Sequence, residues 1–146
     1  MQFSGTVQID AARDETWAFL TDPDKVSSCG PGVESVEVID DATFKVRAKV
    51  GVGFISARFV VNMTFAELTA PDRAVIKASG QAPGSAVDAT GSMTLSGPAE
   101  GPTTMDWAAE VAISGSLAGV GARLMEGTAN KIVGQTFDCI KAKLEA

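Results

Sequence analysis

The sequence contains no histidine and no tyrosine, and its 146 residues include only two cysteines. Histidine is the usual general base near neutral pH and the commonest metal ligand. Its absence excludes Ser-His-Asp and Cys-His catalysis and most zinc or iron sites. Cys29 and Cys139 are far apart in sequence and fit no metal spacing, so they read as two reduced thiols of a cytoplasmic protein. Basic residues are scarce as well: twelve Lys and Arg against eighteen Asp and Glu give a net charge of −6. An acidic chain without a basic stripe is a poor match for nucleic acid and for anionic lipid surfaces. No apolar run is longer than a strand, so no segment is expected to span a membrane. The opening residues, MQFSGTV, lack the charged and apolar regions of a signal peptide. The expectation is a single domain over 1–146, with no metal, no cofactor and no catalytic residue.

What is present is strand alternation. Phe3 to Ile9 alternates and reads as a first strand. Asp10 is placed to cap a short helix over Ala11–Leu20, and Asp22-Pro23 opens a second one that Pro31-Gly32 ends. Phe44, Val46, Ala48 and Val50 then share one face while Lys45, Arg47 and Lys49 share the other. The same parity runs through Ile55–Phe65, Ala74–Ala78, Val87–Leu95 and Met105–Ile113, with a short strand near Glu34–Ile39. Such alternation marks an antiparallel sheet with one covered face. A helix from about Val120 to Leu144 supplies the cover, through a stripe of Val120, Leu124, Ile132, Val133, Phe137, Ile140 and Leu144. The expected fold is α+β: a curved antiparallel sheet of six or seven strands gripping a long C-terminal helix, with two short helices after the first strand.

Small residues (Ala48, Ala57, Ala78, Ala89, Gly91 and Ala109) gather near the middle of the inner face, and larger ones sit toward the strand ends. Either bulky helix residues such as Leu124, Ile132 and Phe137 fill the space between, or an apolar cavity of ligand size remains there. The small-residue ring favours the cavity. Its expected lining is Ala57, Phe59, Val61, Met63, Ala89, Gly91, Met93, Trp107, Ala109, Val111, Val120 and Leu124. Three glycine-rich connections meet at one end of an up-and-down sheet, which makes Gly51, Gly53, Gly84, Gly115, Leu117 and Gly119 the expected mouth. Asp88, Asp106 and Glu110 alternate outward, so the inner face offers no acid or base. The basic positions Lys45, Arg47, Lys49 and Arg58 read as a solvated outer face.

Three segments carry a resemblance: WAFLTDPD at Trp17–Asp24, CGPGV at Cys29–Val33 and GSLAGVGARL at Gly115–Leu124. Together they resemble the G-subunit family of carbon monoxide dehydrogenase, within the helix-grip superfamily of lipid-transfer, polyketide-cyclase and pollen-allergen-like proteins. The resemblance covers essentially the whole chain. It implies an accessory protein to a molybdenum-containing dehydrogenase, without a redox role, that binds the enzyme or the membrane and holds a lipophilic molecule such as a quinone or lipid. Many such proteins carry a C-terminal membrane tail. This sequence stops at Ala146 without one, which leaves two expectations: a soluble cytoplasmic carrier, in peripheral contact at most with the inner face of the membrane, or a chain cut short of its tail. Two other readings remain: an assembly or recruitment factor that docks without a ligand, and an enzyme of the cyclase or hydrolase kind.

Overall fold

The computed structural model describes residues 1–53 and 55–146. The chain runs β1 (Gln2–Ile9), α1 (Arg13–Leu20), α2 (Pro23–Ser27), β2 (Val33–Val38), β3 (Thr43–Val52), β4 (Ile55–Thr69), β5 (Arg73–Ala82), β6 (Ser85–Ser96) and β7 (Thr103–Gly115). A 3₁₀ turn over Ser116–Val120 leads into α3 (Ala122–Leu144). The strands form one antiparallel sheet in the order β1-β7-β6-β5-β4-β3-β2, so the alternation resolves into seven strands that grip α3. Strands β2 to β7 are joined as successive hairpins, and β1 closes the far edge against β7.

Local chemistry accounts for most of the boundaries. Asp22 caps α2: its Oδ1 accepts from the backbone N–H groups of Asp24 and Lys25, and Pro23 sits in the first turn where a missing N–H costs nothing. Asp10 does not cap α1. The N-cap is Ala12, and the Asp10 N–H instead donates to Glu145 Oε2 at 2.9 Å, tying β1 to the end of α3. Val120 lies in the 3₁₀ turn, not in α3, because Gly121 adopts φ 103°, which interrupts the helical run.

Sheet parity sends Phe44, Val46, Ala48, Phe59, Phe65, Ala74, Leu95 and Met105 inward, and all are buried. The inner face divides into packed groups. Ile9, Phe19, Leu20, Leu95, Met105 and Ile140 join β1, β6, β7, α1 and α3 at one end. Val52, Phe59, Leu117 and Met125 close the other. Phe44, Val46 and Phe65 pack between strands β3 and β4. Between them Ala78, Ala89 and Val111, adjacent along one row of the sheet, stay only half-buried. A helix one residue-layer thick does not reach the whole floor.

Cys29 and Cys139 form a disulfide, which corrects the expectation of two free thiols. Their Cα atoms are 5.4 Å apart across 110 residues of sequence. Sequence spacing could not reveal this, because the contact is made only when α3 folds back onto the end of α2. The Lys143 ammonium donates to Ser28 Oγ at 2.8 Å beside it.

Packing demands a glycine at position 5. Gly5 lies directly opposite Trp107, and a Cβ there would come within 2.9 Å of the indole Nε1. The bare backbone lets the indole lie against β1 and meet Phe137 edge-on, at a centroid distance of 5.2 Å.

Two outcomes follow from these contacts. Closing so long a loop restricts the unfolded chain, so reduction, or the C29S/C139S double substitution, is expected to lower the unfolding free energy by about 2–5 kcal/mol. Urea unfolding with and without dithiothreitol measures it, and coincident curves would show that the bridge adds no stability. Gly5→Ala is expected to displace the indole, changing tryptophan emission and costing about 1–3 kcal/mol through overpacking. Gly91→Ala is its control: the added Cβ meets nothing nearer than Ile76 Cγ2 at 3.4 Å, so equal destabilisation by the two changes would contradict this account.

Candidate functional site

Between the sheet, the two short helices and the C-terminal half of α3 lies a cavity of about 390 Å³. That is room for about a dozen waters at ~30 Å³ each, and it falls within the range of small-molecule sites. Its floor follows the sheet rows: Phe65, Ile76, Gly91 and Ala109 in one, Ala74, Met93 and Trp107 in the next, with Phe44 and Met63 beside them. Val133, Thr136, Phe137 and Ile140 of α3 form the roof, one helical face at spacings of three and four. Leu20, Val26, Ser27 and Gly30, from α1 and α2, with Val33 of β2, make the side wall.

Among the described residues the lining contains no charged side chain. Ser27, Ser92 and Thr136 are its only side chains with hydroxyls, and the Thr136 hydroxyl already donates to the Ile132 carbonyl at 2.7 Å. The carboxylates of Asp88, Asp106 and Glu110 are on the exposed outer face, where Asp106 accepts from the Thr6 hydroxyl at 2.7 Å. The perturbed carboxyl is elsewhere. Backbone N–H groups of Ala42 and Thr43 hold Asp40 below the usual carboxylate range in an exposed turn. What the cavity offers is an apolar, partly aromatic surface with almost nothing to orient a polar ligand.

The structure brings five of the sequence-derived residues to this cavity: Met63, Gly91, Met93, Trp107 and Ala109. Ala57, Phe59, Val61 and Val120 pack instead in the group around Val52, Leu117 and Met125. Ala89 and Val111 share the inner face but lie outside the lining. Leu124 is 43% exposed and borders an outer groove with Val120, Arg123 and Lys131.

The expected mouth needs the largest correction. Gly51, Gly53, Gly84, Gly115, Leu117 and Gly119 do belong to loops at one end: the Ser116 N–H donates to the Gly84 carbonyl, and a Cβ on Gly53 would touch Leu124. Gly119 itself faces open space. However, this end is shut. Leu117 is 4% exposed and packs with Val52, Phe59 and Met125, which separates the glycine loops from a cavity lying toward α1 and α2. Sequence parity cannot show that a 3₁₀ turn folds back and drives a leucine into the sheet. It also misses the α1 and α2 wall. The helices were legible there, but not the direction in which they lean.

Comparison with known proteins places this geometry. The family model for the G subunit of carbon monoxide dehydrogenase (CoxG) matches residues 5–145. No curated protein matches the chain. Among solved structures, a conserved protein from Geobacillus kaustophilus superposes with a TM-score of 0.91 at 20% identity, over 99% of this chain and 95% of its own. The Zhui aromatase/cyclase from Streptomyces sp. R1128 superposes with a TM-score of 0.70 at 18% identity, over 99% and 93%. A START superfamily protein from Mycobacterium smegmatis gives 0.70 at 12%, over 99% and 97%. At these identities the structures establish the helix-grip fold alone, whereas the family match extends over nearly every residue. The chain belongs to the CoxG family, that of the carbon monoxide dehydrogenase G subunit.

Proposed function

We propose that the protein is a non-catalytic carrier for an apolar small molecule, quinone- or lipid-like, serving a molybdenum-containing dehydrogenase of the carbon monoxide dehydrogenase type. The observation that carries this reading is a 390 Å³ cavity with no charged lining residue. A ligand entering it leaves water at roughly 25 cal/mol per Å² of apolar surface buried. The Trp107–Phe137 pair offers ring edges and faces to a flat aromatic head, and Met63, Met93 and Met105 give the floor adaptable side chains. The dehydrogenase enters through the family name and not through any contact in this chain. Catalysis of the cyclase kind lacks an acid or base in the cavity. Among the described residues no helix is long and apolar enough to cross a membrane. A bridged Cys29–Cys139 belongs with oxidising surroundings, which removes the thiol argument for a cytoplasmic location.

The test is one substitution with two readouts. Ala109→Leu adds bulk to the cavity floor, where it is expected to change stability by less than about 1 kcal/mol, against about 1–3 kcal/mol for the same insertion in a filled core. It is also expected to weaken uptake of an apolar fluorescent probe or a short-chain quinone at least tenfold. Unchanged uptake would move the site elsewhere, and strong destabilisation would mean a packed interior; either result favours an assembly factor that docks without a ligand. Probe affinity is further expected to stay flat between about pH 6 and 8, where reference pKa values put no side chain of this composition. A tenfold change across that window would reveal an ionisable group acting on the cavity.

A further inference from the structure

The wall and the roof of the cavity meet along a seam, and one covalent bond crosses it. Cys29 falls between Ser27 and Gly30, and Cys139 between Phe137 and Ile140, four residues that all line the cavity. Neither cysteine lines it, so the disulfide ties wall to roof from behind and offers a ligand no surface. The backbone N–H groups of Val26, Ser28, Cys29 and Gly30 all donate to carbonyls between Asp22 and Ser27, so the segment's own hydrogen bonds end within it. Among the described residues one hydrogen bond reaches from this segment to α3, the exposed contact of Lys143 with Ser28 Oγ. The remaining hold is apolar packing of Val26 against the group around Leu20 and Ile140. The ends of the segment are fixed elsewhere. The Asp22 N–H donates to the Phe19 carbonyl at 3.3 Å, and the Gly32 carbonyl accepts from the Lys49 N–H at 2.9 Å. Between those anchors α2 has five residues, too few for a helix to hold its place unaided.

A bridge serving stability alone could join any two elements of the sheet and helix. This one joins the two elements that enclose the cavity and that share a single exposed hydrogen bond otherwise. We propose that the Cys29–Cys139 disulfide is a redox latch on the cavity. Oxidised, it holds α2 against α3 and slows exchange of cargo. Reduced, it frees the segment from Pro23 to Gly30 to swing on its anchors and open the seam, as a lid does. The reductant is a dithiol. Its thiolate attacks the sulfur of Cys139, which is half-buried where Cys29 is 5% exposed. The S–S bond breaks, Cys29 leaves as a thiolate and takes a proton, and the reductant's second thiol displaces Cys139 from the mixed disulfide. Two electrons and two protons pass to the cysteines, and the dithiol becomes a disulfide. The cavity lining is untouched by this step, so the latch acts on the rate of loading and release and not on affinity. The inference rests on the carrier reading, whose site it regulates: cargo stays enclosed in oxidising surroundings and is exchanged where a dithiol is at hand.

The experiment is stopped-flow release of phenylnaphthylamine, an apolar fluorophore, from the preloaded protein with and without dithiothreitol. Reduction is expected to speed release at least about tenfold and uptake in proportion, leaving the equilibrium affinity within about threefold. Reoxidation is expected to restore slow release, and C29S/C139S to release fast in either redox state. Loss of the bridge also lowers stability, so Val52→Ala is the control. It opens a core void at the shut end, destabilises the protein without touching the seam, and is expected to release within about threefold of the oxidised wild type. Amide hydrogen exchange gives a second reading. Reduction is expected to speed exchange at Val26, Ser28, Cys29 and Gly30 while the paired amides of β5 and β6 keep their protection. Equal release rates in the two redox states would overturn the proposal. So would equally fast release from Val52→Ala, or exchange quickened across the whole sheet, since either means a general loosening. Failure of both redox states to take up the fluorophore would sink the carrier reading. Amide exchange needs no ligand, and there a local gain at Val26–Gly30 would still uphold the latch on the wall, whereas uniform or unchanged exchange would overturn it.

Discussion

One helix has to cover a sheet much wider than itself. Seven strands at about 4.8 Å spacing put the sheet's edges roughly 29 Å apart, while a helix with its side chains is only about 10–12 Å across. At about 1.5 Å per residue, the 23 residues of α3 are long enough to cross the sheet but cover only a strip of it. Curvature closes part of the gap, and something else has to close the rest. Nearly every other feature of the molecule answers that shortage.

The two ends answer it differently. Toward the glycine loops the 3₁₀ turn folds inward, and Leu117 with Met125 seals the floor against Val52 and Phe59. Toward the other end α1 and α2 lean in as a wall and leave a space between themselves, the floor and the roof. Trp107, seated on Gly5 and braced by Phe137, is the largest side chain in that space. A packed plug and an open chamber thus lie on the same sheet, separated by a row of half-buried alanines at Ala78 and Ala89.

The fold was largely legible in the sequence because strand parity is a local signal with period two, and it persists through most of β3 to β7, slipping at the Phe65–Glu67 bulge of β4. The family motifs add to this and agree with the architecture. The site was legible only in part. Parity identifies which residues face inward, and Met63, Gly91, Met93, Trp107 and Ala109 do lie against the chamber. It carries no information about what stands opposite. Phe59 and Ala57 have the same parity as Met63, yet they meet Leu117 and Met125 and not empty space. The disulfide, the α1–α2 wall and the inward 3₁₀ turn are all contacts between distant segments, and no local periodicity encodes them.

The Cys29–Cys139 bridge joins points that flank β2 through β7 and most of α3. Only β1, α1, α2 and a short tail lie outside that covalent ring. A protease cutting any single loop within it, whether the β3–β4 turn or the glycine-rich connection after β7, would leave the two pieces bonded. Such a nicked molecule gains only the mass of one water and stays in one covalent piece until a thiol reaches the bridge. Any one loop inside the ring can therefore be cut without the sheet losing a strand to solution.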